Sequence, residues 1–273
     1  MREPDLLRRI DAYLDAVPRS VVRTEEIGPF TLFVNEGRGW RYYARPRPGA
    51  ASFSDADVEA VRRRQRELRQ PQELEWVEEL APGVGPAARA TGLEVATMPL
   101  MHLPRAGFRT SAPGAGVEIA FASPHDDVGT LMAVATLAFG APGTGVGEIG
   151  TESLGESAAN ADPATVEFAR ERIAAGLAVT AVAKVDGLPV AVGTHQPVRG
   201  VTEIVGVGSL PAFRRRGLGA MVTSALVDDA FARGVETVFL SAGDATIARV
   251  YARVGFRTIG HVGAAAPPAG ASP

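Results

Sequence analysis

Chemistry in this chain is concentrated in one run, Glu203-Ile204-Val205-Gly206-Val207-Gly208-Ser209-Leu210-Pro211-Ala212-Phe213-Arg214-Arg215-Arg216-Gly217-Leu218-Gly219-Ala220. It reads as a strand that passes through a basic, glycine-containing loop straight into a helix. Glycine lets the backbone approach a ligand closely. The first amides of a helix have no partner within the helix and point at whatever lies before it. Together with Arg214, Arg215 and Arg216 these features suit an anion, above all a phosphate or pyrophosphate. Neither common nucleotide loop is present. No Gly-Lys pair supplies a P-loop, and Gly217-x-Gly219 is followed by Val222 where the dinucleotide fingerprint requires a third glycine. An ordinary strand–turn–helix with packing glycines and solvated arginines fits the same residues.

Two further side chains have suitable chemistry. Tyr251 lies in Asp244-Ala-Thr-Ile-Ala-Arg-Val-Tyr251-Ala-Arg-Val-Gly255-Phe256. A phenol stays protonated at neutral pH and can still donate a proton to a nearby anion. A tyrosine on a helix facing a sheet also serves as a core residue. Glu203 begins the strand, and its carboxylate could act as a general base. Period-two alternation puts Glu203, Val205 and Val207 on one face and Ile204, Gly206 and Gly208 on the other.

The two segments together resemble the GNAT superfamily of acyl-CoA-dependent N-acetyltransferases. Arg214-x-x-Gly217-x-Gly219 is similar to its R/Q-x-x-G-x-G/A loop, and Asp244 to Phe256 resembles its N-x(6)-Y-x-x-x-G-F helix. The resemblance covers about residues 117–262 and implies a cofactor strand, with Val207, Gly208 and Ser209 offering main-chain groups to the pantetheine arm. It implies that Arg214, Arg215, Arg216, Gly217, Leu218, Gly219 and Ala220 hold the pyrophosphate, with Tyr251 as the general acid for the departing thiolate. Glu203, 14 residues before Gly217, has the spacing of the catalytic glutamate of histone-acetyltransferase-like members. Asp244 stands where an asparagine often contacts the cofactor, which keeps an acceptor and loses the amide donor. Phe239 stands where some N-terminal acetyltransferases hold a glutamate, which speaks against that substrate class. Acetyl-CoA is thus the expected co-substrate, with no metal, and a small-molecule amine the expected acceptor. A non-catalytic acyl-CoA-binding or regulatory module, or transfer of another acyl group, remains open on the same residues.

These residues need a scaffold, and the periodicity supplies an α/β one. Val117–Phe121 reads as a strand, and Asp126 or Asp127 opens a helix to Phe139. Gly140–Gly150 is a glycine-rich loop bordering the acceptor side, with Glu148, Glu152 and Glu156 available to a basic acceptor. Asp162-Pro163 starts a helix to about Ala175. Asp186-Gly187 marks a hairpin between Leu177–Val185 and Leu188–Thr194. Helices at Leu218–Arg233 and Ala245–Arg253 alternate with strands at Thr237–Ser241 and Phe256–Val262.

The N-terminal half repeats this order. A shift of 163 residues places Gly92 under Gly255, Trp76-Val77 under Phe239-Leu240, and Asp55–Arg69 under the helix after Leu218. Ser54 and Ala56 then replace Gly217 and Gly219, Ala51 replaces Arg214, and Ala88 replaces Tyr251. The expectation is a tandem form: a degenerate GNAT-like lobe at 1–110, a catalytic GNAT domain at 117–262, and a disordered tail at 263–273. Strands are expected at Val21–Ile27, Phe30–Val34 and Trp40–Ala44, with Trp40, Tyr42 and Tyr43 as core residues or as aromatics lining an acceptor cleft.

Composition bounds the alternatives. The 273 residues suit two small domains, with 46% hydrophobic and 22% charged residues. A net charge of −3 argues against nucleic-acid or anionic-membrane partners. The absence of cysteine excludes disulfides, thiolate metal sites and a cysteine nucleophile, so acyl transfer would proceed by direct attack on the thioester. The four histidines lack metal-ligand spacing, and no apolar run reaches the length of a membrane span. The expected location is cytoplasmic, with monomer and homodimer both open.

Overall fold

The computed structural model describes residues 2–35, 39, 41–141, 143–268 and 270. Along the chain it contains α1 (Glu3–Arg19), β1 (Arg23–Ile27), β2 (Phe30–Val34), β3 (Arg45–Pro46), α2 (Asp55–Glu67), β4 (Leu74–Val77), α3 (Val84–Ala90) and β5 (Glu94–Leu103). Then follow β6 (Val117–Phe121), α4 (Val128–Gly140), α5 (Leu154–Ala159), α6 (Pro163–Ala174), β7 (Val179–Val185) and β8 (Leu188–Val198). The last elements are β9 (Val201–Ser209), α7 (Leu218–Ala232), β10 (Thr237–Ser241), α8 (Ala245–Val254) and β11 (Arg257–Ala266). These elements divide into two compact units, residues 1–101 with 241–244 and 258–273, and residues 102–240 with 245–257.

In the first unit, α1 buries Leu6, Leu7, Ile10, Tyr13 and Val17 along one face, the stripe its sequence encodes. Strands β1, β2 and β3 form an antiparallel sheet in that order. The strand expected at Trp40–Ala44 lies instead at Arg45–Pro46, where Arg45 pairs with Thr31 and Pro46 with Phe30. An aromatic run shows strand propensity without register, and pairing to β2 sets the register. Trp40 is outside the described residues; Tyr42 packs edge-on against Phe33 at 6.4 Å. Trp76, Leu74, Val58, Val61 and Leu93 lie in a common core. Strand β11 continues through Gly263–Ala266, where the sequence suggests tail, because antiparallel pairing with Leu74–Val77 of β4 satisfies its backbone. The 163-residue displacement carries β5 end to end onto β11, and places α2, β4 and α3 on α7, β10 and α8.

The second unit is built on the sheet order β10-β9-β8-β7-β6. Strands β6 to β9 run antiparallel to their neighbours, while β10 is parallel to β9. Asp186 and Gly187 both adopt positive φ, 50° and 78°, between β7 and β8, the geometry of the tight turn their sequence predicts. Helix α4 covers one face of β8 and β9, and α7 covers the other. A Cβ on Gly208 would come 2.8 Å from Ala138 of α4, whereas one on Gly193 would meet Val222 and Leu226 of α7. Asp127 caps α4 by accepting from the Thr130 amide, and Asp162 caps α6 through the amides of Ala164 and Thr165. Helix α5 lies beyond the Gly140–Gly150 loop, in a stretch where the sequence marks no element. Its six residues are too few to show a periodic pattern.

Candidate functional site

Parallel pairing between β9 and β10 covers only Val201, Thr202 and Glu203, opposite Thr237, Val238 and Phe239. Beyond Glu203 the ladder to β10 stops, while β9 stays paired to β8 as far as Ser209, which faces Ala191. The edge of β9 that faces away from β8 therefore offers main-chain donors and acceptors along Val205–Ser209 to another chain-like molecule. Glu203 sits where the two strands part, half-buried and in contact with other groups.

The register slips within this segment. Val192 pairs with Gly208 and Thr194 with Val205, so three steps on β9 face two on β8. Gly206 absorbs the extra residue with φ +63°, a backbone shape that residues with a side chain rarely adopt. This bulge corrects the alternation expected from the sequence. Thr194 and Val205 share the α4 face with Glu203 and Gly208, whereas Val207 turns to the α7 face beside Gly193. An isolated glycine within a strand is the sequence signal for such a bulge.

After Ser209 the chain passes through a 3-10 turn at Pro211–Phe213 and enters α7. Gly217 occupies the N-cap position with φ +78°, and no side chain caps the helix. Met221 donates to the Gly217 carbonyl, so the amides before it belong to the unsatisfied first turn. Arg215 also has positive φ, 64°, and alternation of this kind forms a concave nest of amides suited to an anion. Arg215 and Arg216 are exposed, and the Arg216 guanidinium lies 5.4 Å from the Phe213 ring centre. Leu218 is buried in the core, so Leu218, Gly219 and Ala220 can contribute to the site only through their main chain, apart from the small Ala220 methyl. Arg214 behaves differently from its neighbours: its guanidinium bonds to the carbonyls of Ala138, Ala141 and Gly145.

The matching helix of the first unit is closed to anions. Ser54 accepts from the Asp57 amide and the Asp57 carboxylate accepts from the Ser54 amide, while Asp55 adds a second negative charge to that first turn. The amides at the start of α2 are thus already satisfied and shielded by carboxylates.

Tyr251 lies on α8, which packs against α7. Burial pushes its phenol up to about 12, so the hydroxyl is protonated across the neutral range. The ring stands edge-on to Phe256 at 6.1 Å, and the hydroxyl has no hydrogen-bond partner among the described residues. Asp244 immediately precedes α8, exposed and engaged in other contacts.

A buried network absent from the sequence reading fixes β8 and β9 to α7. His195 is fully buried, with Nδ1 3.1 Å from the Thr202 hydroxyl and Nε2 2.8 Å from Asp229. Burial lowers the His195 pKa, and the attraction of Asp229 only partly offsets it. Burial also raises that of Asp229, but bonds from Arg233 and His195 hold the carboxyl below its ordinary value. One histidine and one aspartate 34 residues apart carry no local signal of this pairing.

On the α4 side, a groove of about 590 Å³ lies between α4, α5 and the start of α6. Its lining includes Met132, Thr136 and Leu137, then Ile149, Glu156 and Asp162. Of the three glutamates expected near an acceptor, only Glu156 lines it, and Glu152 instead accepts from the Gly150 amide at 2.7 Å. Among the described residues no group of side chains could hold a metal ion, and no helix is long and apolar enough to cross a membrane.

Comparison with known proteins places this geometry. Residues 151–256 match the acetyltransferase (GNAT) family. No curated protein matches the sequence. A GCN5-related N-acetyltransferase from Kribbella flavida superposes with a TM-score of 0.72 at 24% identity, over 97% of this chain and 96% of that one. A putative GNAT-family acetyltransferase from Novosphingobium aromaticivorans gives a TM-score of 0.52 at 20% identity, with 91% of each chain covered. A tandem GNAT protein from the clavulanic acid biosynthesis pathway gives 0.55 at 16% identity, over 89% of this chain and 79% of that one. At these identities the likeness is one of fold, and it extends through the N-terminal half. Residues 151–256 are thus similar to the acetyltransferase domain of the GNAT family, within a GNAT-like fold that spans nearly the whole length of the chain.

Proposed function

We propose that this protein transfers an acetyl group from acetyl-CoA to the amine of a small molecule by direct attack. The observation that carries the reading is the parting of β9 from β10 after Glu203, followed without interruption by the uncapped start of α7. The pantetheine arm carries amide groups and fits the unpaired edge of Val207–Ser209 as an added strand would. The pyrophosphate fits the amides from Arg215 to Ala220, with the Arg215 and Arg216 side chains supplying positive charge.

The thioester supplies an activated acyl carbon. Glu203, at the point where the strands part, takes a proton from the incoming ammonium so that its nitrogen lone pair can attack. Main-chain amides of β9 near Val207 polarise the carbonyl as negative charge builds on its oxygen. Tyr251 gives its proton to the sulfur as the carbon–sulfur bond breaks, and the second proton that the nitrogen sheds on becoming an amide returns the phenolate to phenol. Its raised pKa keeps the phenol protonated across the neutral range until that moment. Asp244, at the start of α8, is assigned to the cofactor side as an acceptor.

The first unit is a GNAT-like lobe that has lost the anion site, consistent with the capping box at Ser54. The test is incubation of the purified chain with acetyl-CoA and a panel of amines, read by mass spectrometry. Acetylated product with stoichiometric release of free CoA is expected. Measurable CoA binding without any acetylated amine would replace this reading with that of a binding module.

A further inference from the structure

The loop motif places Arg214 among the phosphate-binding residues, but the geometry gives its side chain other work. Helix α4 ends at Gly140, and the residue after it, Ala141, has extended backbone (φ −113°, ψ 92°). The last carbonyls of a helix lack helical partners and require donors from outside. Arg214 supplies them. Its Nη2 donates to the Ala138 carbonyl at 2.8 Å and to the Ala141 carbonyl at 2.5 Å, while Nη1 donates to the Gly145 carbonyl at 3.3 Å. A cation at this end of a helix is also favoured by the helix dipole.

Two main-chain bonds join the same segments. The Gly147 amide donates to the Pro211 carbonyl at 3.1 Å, and the Ala212 amide donates to the Ile149 carbonyl at 2.9 Å. A Cβ on Gly147 would approach the Pro211 ring to 3.0 Å, so the two backbones lie against each other. Five hydrogen bonds thus stitch residues 138–149 to residues 211–214. The first of these segments ends at Ile149, a wall of the α4–α5 groove, and begins one residue after Leu137, another wall. The second runs directly into the amides of the α7 N-terminus.

We propose that Arg214 is a positioning residue that locks the groove wall to the acyl-CoA loop, so that filling the loop orders the groove for the acceptor. The assignment of the loop to acyl-CoA rests on the function proposed above; the brace itself does not. Ligand binding at Arg215–Ala220 restrains Pro211–Arg214, and the five bonds pass that restraint to Ile149 and the end of α4. By linkage, whatever occupies the groove then binds more tightly when the loop is filled, and the converse holds equally.

Amide hydrogen exchange on the full chain tests this, with and without CoA. In ligand-free protein, Arg214→Ala is expected to speed exchange at Gly147 and Ala212 by about tenfold or more, since local opening loses three bonds. Arg214→Gln, which keeps one neutral donor, gives a smaller increase and stands in if the alanine variant does not fold. Arg215→Ala is expected to weaken CoA binding without changing exchange at these amides. CoA should slow exchange at Gly147 in the wild type and do so far less in Arg214→Ala. Unchanged exchange in Arg214→Ala and Arg214→Gln, with CoA affinity lost as in Arg215→Ala, would make Arg214 a phosphate ligand and overturn the proposal. Faster exchange in the variants of a protein that fails to bind CoA would leave the brace standing and remove the acyl-CoA reading instead.

Discussion

Replacing Tyr251 by phenylalanine separates chemistry from structure with one atom. The Tyr251 hydroxyl has no partner among the described residues, so its removal breaks no internal hydrogen bond. The ring keeps its edge-on contact with Phe256 at 6.1 Å. Stability should therefore change by no more than about 0.5 kcal/mol, a shift of only about 1–2 °C in Tm for a chain of this size. Loss of a general acid, by contrast, lowers kcat by about 10²–10⁴-fold, equivalent to about 3–5 kcal/mol of transition-state stabilisation. The KM for acetyl-CoA should stay within about twofold, because the proton is needed only as sulfur departs. A chromogenic thiol reagent gives a clean assay, since the chain contains no cysteine and the only thiol formed is that of CoA. With burial holding the phenol near 12, wild-type activity should show no loss from tyrosine ionisation below about pH 10. An unchanged kcat, under conditions where single-turnover kinetics show that chemistry limits the rate, would refute the acid assignment. A fall in Tm beyond about 5 °C would instead show that the hydroxyl supports the fold.

Three other outcomes are expected. Gly255→Ala should destabilise the protein by at least about 3 kcal/mol in urea denaturation, because the new Cβ would lie 2.0 Å from the Gly107 carbonyl oxygen at φ +112°; a smaller loss would mean that the two backbones separate easily. Glu203→Gln should lower kcat by about tenfold or more and flatten the rise of rate with pH, and a retained profile would assign proton removal to another group. Burial pushes His102 down to about 4, with the Arg257 charge acting in the same direction. The unfolded chain therefore binds a proton at about pH 6.5 that the folded chain refuses until about pH 4. Stability should fall by up to about 3 kcal/mol as pH drops through that window, and His102→Leu should abolish most of the fall in urea midpoints measured at pH 7 and 5.

Much of the site could be read from the chain because its parts are local. Gly217 and Gly219 sit at the start of one helix, and Tyr251 and Gly255 lie four residues apart at the end of another, so spacing alone links them. Asp127 and Asp162 cap helices through amides two or three residues ahead, and the Asp186-Gly187 turn needs only its own two residues. The 163-residue repeat was legible in the same way, since each helix and strand is a local pattern displaced as a block. Arg214 shows the limit of such reading. Its type and position suggest phosphate, yet its partners are carbonyls about 70 residues away, whose orphaned state depends on where α4 ends in space.

The amino-acid sequence by itself determined the element order, the helix caps, the tight turn and the residue types at the loop and at Tyr251, because each follows from interactions within about one turn or hairpin. Tertiary structure alone decided the face of Val207, the partners of Arg214 and His195, the end of β11 and the lack of a partner for the Tyr251 hydroxyl among the described residues. Those features depend on strand register and on burial. Both are set by pairings between distant segments, where a slip of one residue exchanges the two faces of a strand and burial alone raises the pKa of a phenol.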